Sequence, residues 1–358
     1  MDLSRPAIGR ASGVNPPNRF ERVHVERDLE QLDPTDEPQE PRRVPTVFLP
    51  NESRRIISTN DSPDVPFRYS INPYRGCEHG CAYCYARPGH EYLGMNAGLD
   101  FETRILVKHD AAECLRAELA DERWTGEFIA LSGVTDCYQP AEREFRLTRA
   151  CLEVLLEARQ ACGIITKNAL VTRDLDLLTA LAVESLVNVR LSITTLDHEL
   201  ARTMEPRTAS PSARLRAIRE LRAAGVPVAV MAAPIIPGLN DEELPAILAA
   251  AKDAGAQSAG YLLVRLPLAV RPIFEDWLGR SYPEKADRVI GLIRETRDGR
   301  MSDATWGRRM RGQGSYAEGI AKTFSVFSKK LGLDRPLTAL DESKFTRPIL
   351  PGGQLRLF

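Results

Sequence analysis

Six short apolar runs, each followed by a longer polar or amphipathic stretch, constrain the fold of this chain more than any other feature. FRYSI, EFIALSG, GIITK, LVNVRLSITTL, VPVAVMAAPII and GYLLVRLPL recur between about residue 66 and residue 270. Each has the length and β-branched content of a strand. Between them AAECLRAELADE, FRLTRACLEVLLEARQ, SARLRAIRELRAAG and DEELPAILAAAKDAG carry helical periodicity, and two of these end at Gly225 and Gly255, where a left-handed cap is expected. Strands joined through helices pair in parallel, because each crossover must return over the sheet. The pattern predicts an α/β barrel or partial barrel of six βα units, with chemistry in the loops that follow the strand carboxyl ends.

The flanks read differently. Residues 1–62 are rich in Pro, Asp, Glu and Arg without a hydrophobic period, which predicts an extended, partly disordered arm contributing little core. Residues 63–270 form the expected core domain, 271–335 a helical appendage, and 336–358 a flexible tail punctuated by Pro and Gly. With 43% hydrophobic and 27% charged residues the chain has material for a substantial core, and it is neither collagen-like nor globally disordered. Lys and Arg total 48 against 49 Asp and Glu, so overall charge selects no nucleic-acid partner. The start, MDLSRPAIGR, lacks the apolar run of a signal peptide, and no stretch has the length to cross a bilayer; the expected location is cytoplasmic.

Seven cysteines are too few for a disulfide scaffold in a chain of 358 residues. Cys114, Cys151 and Cys162 read as small buried hydrophobes. Cys77, Cys81 and Cys84 instead crowd into INPYRGCEHGCAYCYARPGH as C-x3-C-x2-C, directly after the first strand. Three thiolates leave either a tetrahedral zinc ion or a four-iron cubane one ligand short. Zinc would need His79, His90 or a distant residue to close it. A cubane would keep one iron open to an exogenous ligand.

The triplet, with Tyr83 just before its third cysteine, resembles the signature of the radical S-adenosylmethionine (SAM) superfamily. Within it the chain is similar to the group containing spore photoproduct lyase and uncharacterised bacterial relatives, over residues 66–270. The resemblance implies a partial (βα)6 barrel and a [4Fe–4S] cluster on Cys77, Cys81 and Cys84. It also implies SAM chelated to the open iron, and an electron donor of the flavodoxin or ferredoxin type. Reductive cleavage would then give a 5′-deoxyadenosyl radical that takes hydrogen from a substrate. By position, Gly133, Thr135 and Asp136 match the loop that holds the methionine ammonium, and Lys167 the residue facing its carboxylate. Ser192 falls near the ribose or carboxylate, and Ile236 and Gly238 along the adenine. Thr194 shares a strand face with Ser192, and Glu205 and Arg207 line the pocket or pair locally. The lyase's hydrogen-returning cysteine corresponds to Gly133 or a neighbour here, so the lyase reaction itself is not implied. Cys137 and Tyr138, expected on the rim, are the candidate relay.

Two segments point to a partner. Arg300, Arg308, Arg309, Arg311, Lys322, Lys329 and Lys330 stand against Asp303 and Glu318, with Trp306, Tyr316, Phe324 and Phe327 interleaved. Such a segment reads as a nucleic-acid surface or as a helix whose aromatics face the core. Gln354, Leu355, Leu357 and Phe358 match the Q-L-x-L-F peptide by which bacterial replication and repair proteins dock on the DNA sliding clamp, or the two leucines and Phe358 dock on the chain's own barrel. The expected function is radical SAM chemistry on DNA, in repair or modification. The same chemistry on a peptide or small molecule, and a non-catalytic zinc-stabilised nucleic-acid module, are the competing readings.

Overall fold

In the computed structural model, which describes residues 7–21 and 42–350, the six apolar runs become six parallel strands. They are β1 (Tyr69–Ile71), β2 (Ile129–Leu131), β3 (Cys162–Thr166), β4 (Val187–Ser192), β5 (Val228–Ile235) and β6 (Ser258–Leu263). They lie in the order β6-β5-β4-β3-β2-β1, and Ile57–Thr59 adds an antiparallel edge beyond β1. Helices α1 (Ala111–Ala120), α2 (Leu147–Glu157), α3 (Leu175–Val183), α4 (Pro211–Ala223) and α5 (Leu244–Asp253) make the crossovers. β3 and β4 are buried almost throughout, as expected of parallel strands covered on both faces. Leu191 pairs with Thr166 on one side and with Val230 on the other. This register brings the carboxyl ends of neighbouring strands, and the loops after them, to one face. Gly225 and Gly255 take positive φ just past α4 and α5, as their positions predict.

The barrel is partial. Among the described residues no strand pairing joins β6 to Ile57–Thr59. The gap is crossed by a later segment: Leu263 N–H donates to the Met310 carbonyl, Arg309 pairs with Asp64 at 2.6 Å, and Gly307 N–H donates to Asp64.

Three expectations for the flanks change. The described part of the arm does carry core: Ile56 and Ile57 belong to the main hydrophobic cluster, and Ala11 packs with Cys81 and Tyr83. Val47–Pro50 pairs with Arg104–Val107, which also pairs with Tyr74–Arg75. The helices α6 (Val270–Ser281), α7 (Pro283–Glu295) and α8 (Gly314–Leu331) exist as expected but are built into the domain. Phe274, Trp277, Val289 and Ile293 roof the strand ends beside Cys81 and Ile236, while Ala317 and Ile320 join the main core.

The tail is docked as far as it is described. Asp341 N–H donates to the Ser185 carbonyl, Thr346 N–H to that of Ala158, and Arg347 to those of Asp121, Glu122 and Trp124. These acceptors precede β2, β3 and β4, so residues 341–347 cross the amino-terminal face of the barrel. Gln354, Leu355, Leu357 and Phe358 lie outside the described residues. No helix among the described residues is long and apolar enough to cross a membrane.

Candidate active site around the cysteine loop

The loop after β1 is held by its backbone, which leaves the sulfurs uncommitted. Gln139, fully buried, accepts from Glu78 N–H at 2.9 Å and donates to the Gly76 carbonyl at 3.1 Å. Arg87, also fully buried, spends its guanidinium on the carbonyls of Gly80, Cys81, Ala97 and Gly98 and on Glu102 at 2.5 Å. An arginine can saturate five acceptors in a plane, and here it fixes the turn between the second and third cysteine. Gly80 has φ +64°, and a Cβ there would fall 2.3 Å from that of Arg10. Only glycine lets the arm lie across the loop.

Glu205 ties the end of the loop to the ends of β3 and β4 and to α4. Its buried carboxylate accepts from the Tyr83 hydroxyl and from Thr194 at 2.6 Å, and it pairs with Arg214 at 2.5 Å and Lys167 at 3.2 Å. Burial alone would raise its pKa, but Arg214 and then Lys167 outweigh this and hold it well below the usual carboxylate range. Burial and the Glu205 charge push the Tyr83 phenol up, so Tyr83 is a neutral donor. Lys167 also donates to Thr194 at 3.1 Å and to the Ala233 carbonyl at 2.9 Å, which occupies all three of its N–H groups. One carboxylate faces two cations, leaving one positive charge in excess beside Tyr83.

The thiols fit a metal cluster by their chemistry. Cys77 and Cys81 are buried and Cys84 is partly so, among Ala82, Tyr83, Ala86 and Phe101. Burial first, and then the Cys84, Asp136 and Cys81 charges, push the Cys77 thiol up; burial does the same to Cys81 and Cys84. Three mutually repelling thiolates in an apolar pocket require cationic iron or another metal to exist together. Neither histidine completes a zinc site. His79 has Asn168 at 3.2 Å on one ring nitrogen and Asp136 at 3.5 Å on the other. His90 Nε2 lies 3.1 Å from the Arg104 carbonyl, and its ring packs on Phe101. Burial lowers the pKa of both, to about 4 for His90.

A family model for the radical SAM superfamily matches residues 71–251, which span both the cysteine loop and strands β2 to β5. The chain belongs to the radical SAM superfamily. An uncharacterised protein of Mycobacterium bovis is 41% identical over 232 residues, 64% of this chain and 68% of that one. One of Methanocaldococcus jannaschii is 30% identical over 222 residues, covering 62% and 79%. Among solved structures, spore photoproduct lyase complexed with dinucleoside spore photoproduct superposes with a TM-score of 0.57 at 17% identity, over 80% of this chain and 79% of that one. Radical SAM membership makes this chain an enzyme, of unassigned reaction, and implies a [4Fe–4S] cluster and SAM.

The other residues expected to serve radical SAM chemistry are spread around the loop. Lys167, Thr194, Glu205 and Tyr83 meet in the network above. Ser192 is buried below it, with its carbonyl taken by Arg214 at 2.9 Å. Ile236 lies in the roof cluster and Gly238 in the turn after it, at φ +76°. Asp136 and Thr135 are staples. Asp136 accepts from Thr166, Tyr138 N–H and Lys167 N–H at 2.7, 2.9 and 2.8 Å, and Thr135 donates to the Tyr74 carbonyl. Arg207 pairs with Glu78 at 2.6 Å on the outer side of the loop.

Cys137 and Tyr138 are not on the rim. Both are buried in the main core, with the Tyr138 hydroxyl on Asp174 at 3.0 Å. The chain turns inward after Gly133, and their spacing in sequence does not reveal that. Sequence reasoning passed over Arg87, Gln139 and Arg214, ordinary polar residues whose burial alone marks them. It also passed over Tyr85, directly after Cys84, which is 48% exposed and whose hydroxyl donates to the Gly133 carbonyl.

Gly133 itself is required by packing. A Cβ there would stand 2.7 Å from the Cβ and Oγ of Ser70. Gly133→Ala is expected to destabilise by about 1–3 kcal/mol, the usual cost of overpacking, and Ser70→Gly in the same chain to recover most of it. Urea midpoints of the two variants measure this; equal midpoints for wild type and Gly133→Ala would show the contact relaxes freely.

Proposed function

We propose that this chain holds a [4Fe–4S] cluster on Cys77, Cys81 and Cys84 and uses SAM to abstract hydrogen from a nucleic-acid base or sugar. The observation that carries the radical part is the buried cysteine loop, clamped through its backbone while its three thiols share one apolar pocket. A cluster so held supplies, when bound, the electron that cleaves SAM reductively. The protein's own residues position and shield: Arg87 and Gln139 hold the ligand loop, α6 and α7 cover it, and Lys167 brings positive charge next to Tyr83.

The nucleic-acid part rests on the mouth. Trp306 is 61% exposed, and Arg300 and Arg308 of the same segment are exposed, Arg308 beside Asp303. The surface is narrower than the whole 300–330 segment, because Tyr316 bonds Asp241 and Phe324 packs on Tyr261. Exposed aromatics among arginines suit stacking on unpaired bases. The solved neighbour with a dinucleoside photoproduct bound supports the same substrate class.

Anaerobically reconstituted protein, reduced and given SAM with a deuterated single-stranded oligonucleotide, is expected to release 5′-deoxyadenosine carrying deuterium. Cleavage of SAM without deuterium transfer from DNA or RNA would keep the radical chemistry and turn the search to a peptide or small molecule.

A further inference from the structure

Arg265 follows β6 at the mouth and is only partly exposed. Its guanidinium stands 5.5 Å from the centre of the Tyr85 ring, one residue beyond Cys84. Its one hydrogen bond goes to the thioether of Met310 at 3.5 Å, a weak acceptor for a group with five N–H donors. The acid that would otherwise serve it, Asp64, is taken by Arg309 at 2.6 Å and by Gly307 N–H. Arg309 thereby places a second positive charge nearby.

Other buried arginines here are satisfied. Arg87 is saturated by carbonyls and Glu102, Arg214 by Glu205 and two carbonyls, and Arg297 by the carbonyls of Val264, Arg308 and Arg309. Arg265 alone among these four is left with a single weak acceptor, and its remaining N–H donors face the partly open mouth, where an incoming acceptor can reach them. An arginine stacked on a ring keeps its N–H edge free, and that edge matches two phosphate oxygens. The Tyr85 platform is itself fixed by its bond to the Gly133 carbonyl.

We propose that Arg265 is an anion anchor that grips a phosphate of the substrate over the Tyr85 ring, at the entrance to the cysteine loop. The inference deepens the nucleic-acid reading and rests on it for the source of the phosphate.

The test is fluorescence-anisotropy binding of a single-stranded oligodeoxynucleotide to wild type, Arg265→Gln, Arg265→Lys and Arg123→Gln across a salt series. Arg123 is fully exposed beside the docked tail, on the opposite face, and controls for net charge. Arg265→Gln is expected to weaken binding about tenfold and to lower the salt slope by about one, with Arg123→Gln near wild type. Arg265→Lys should fall between, keeping the charge without the fork. The thermal midpoint of Arg265→Gln should stay close to that of wild type, since the one hydrogen bond lost is the weak one to Met310.

Equal affinity of Arg265→Gln and wild type would overturn the anchor while leaving the nucleic-acid reading intact. If wild type binds no oligonucleotide even at low salt, that reading falls, and inorganic phosphate decides on Arg265. A rise in thermal midpoint over chloride of equal ionic strength in wild type, absent in Arg265→Gln, supports the anchor; the same response in both overturns it.

Discussion

Cys81→Ala is expected to abolish 5′-deoxyadenosine formation and the iron–sulfur absorbance of the reconstituted protein, without unfolding it. The loop does not depend on the Cys81 sulfur: Arg87 holds the Cys81 carbonyl at 2.8 and 3.1 Å, and Ala82 N–H donates to the Met204 carbonyl. Removing the sulfur leaves two thiols where a cubane needs three protein ligands. Cys137→Ala serves as the control, since its sulfur lies in the main core, and should keep both cluster and cleavage. Circular dichroism and iron content separate folding from loading. A Cys81→Ala protein that still binds four irons and cleaves SAM would remove Cys81 from the ligand set. Wild type that holds zinc tightly and takes up no iron or sulfide would make the triplet a structural metal site.

Glu205→Gln should have the second largest effect, on stability as well as activity. Wild-type Glu205 neutralises one of two cations, Arg214 at 2.5 Å and Lys167 at 3.2 Å, in a place closed to water. The amide keeps an acceptor for Tyr83 and Thr194 but strands both positive charges. Breaking a buried ion pair from one side costs roughly 3–5 kcal/mol, read as a lower urea midpoint of the metal-free protein. Lys167→Met in the same chain removes one stranded cation, so the double variant is expected to lose clearly less than the sum of the singles. Strict additivity, or a Glu205→Gln midpoint equal to wild type, would mean the network contributes nothing beyond packing. The loaded protein should also cleave SAM more slowly, because Tyr83 and Lys167 lose the group that aligns them.

Much of this was legible in the chain. Runs such as VPVAVMAAPII had to be strands covered on both faces, and the helices between them had to return each strand in parallel. Three cysteines at C-x3-C-x2-C pointed to a metal centre from spacing, with zinc and a cubane both open, and the resemblance to radical SAM proteins selected the cluster. The residues that hold that loop were not legible. Arg87 lies in ARPGH and Arg214 in SARLRAIREL, where either reads as an ordinary surface arginine. Burial converts them into clamps, and burial is a property of the assembled layers. Asp136 was read as an acceptor for the methionine ammonium; that it also staples Thr166 and two backbone N–H groups was not legible.

The sequence by itself determined the six parallel strands and the cysteine triplet, because periodicity and short-range spacing are local and survive without coordinates, and its motifs carried the resemblance to the radical SAM superfamily. Only the tertiary structure decided that α6 and α7 roof the cysteines, that Cys137 and Tyr138 turn into the core, and that Glu205 gathers two cations from separate crossovers. These are meetings of residues distant in the chain, from Gly80 against Arg10 to Arg265 over Tyr85. Their partners are chosen by strand register and helix packing, and no local pattern encodes them.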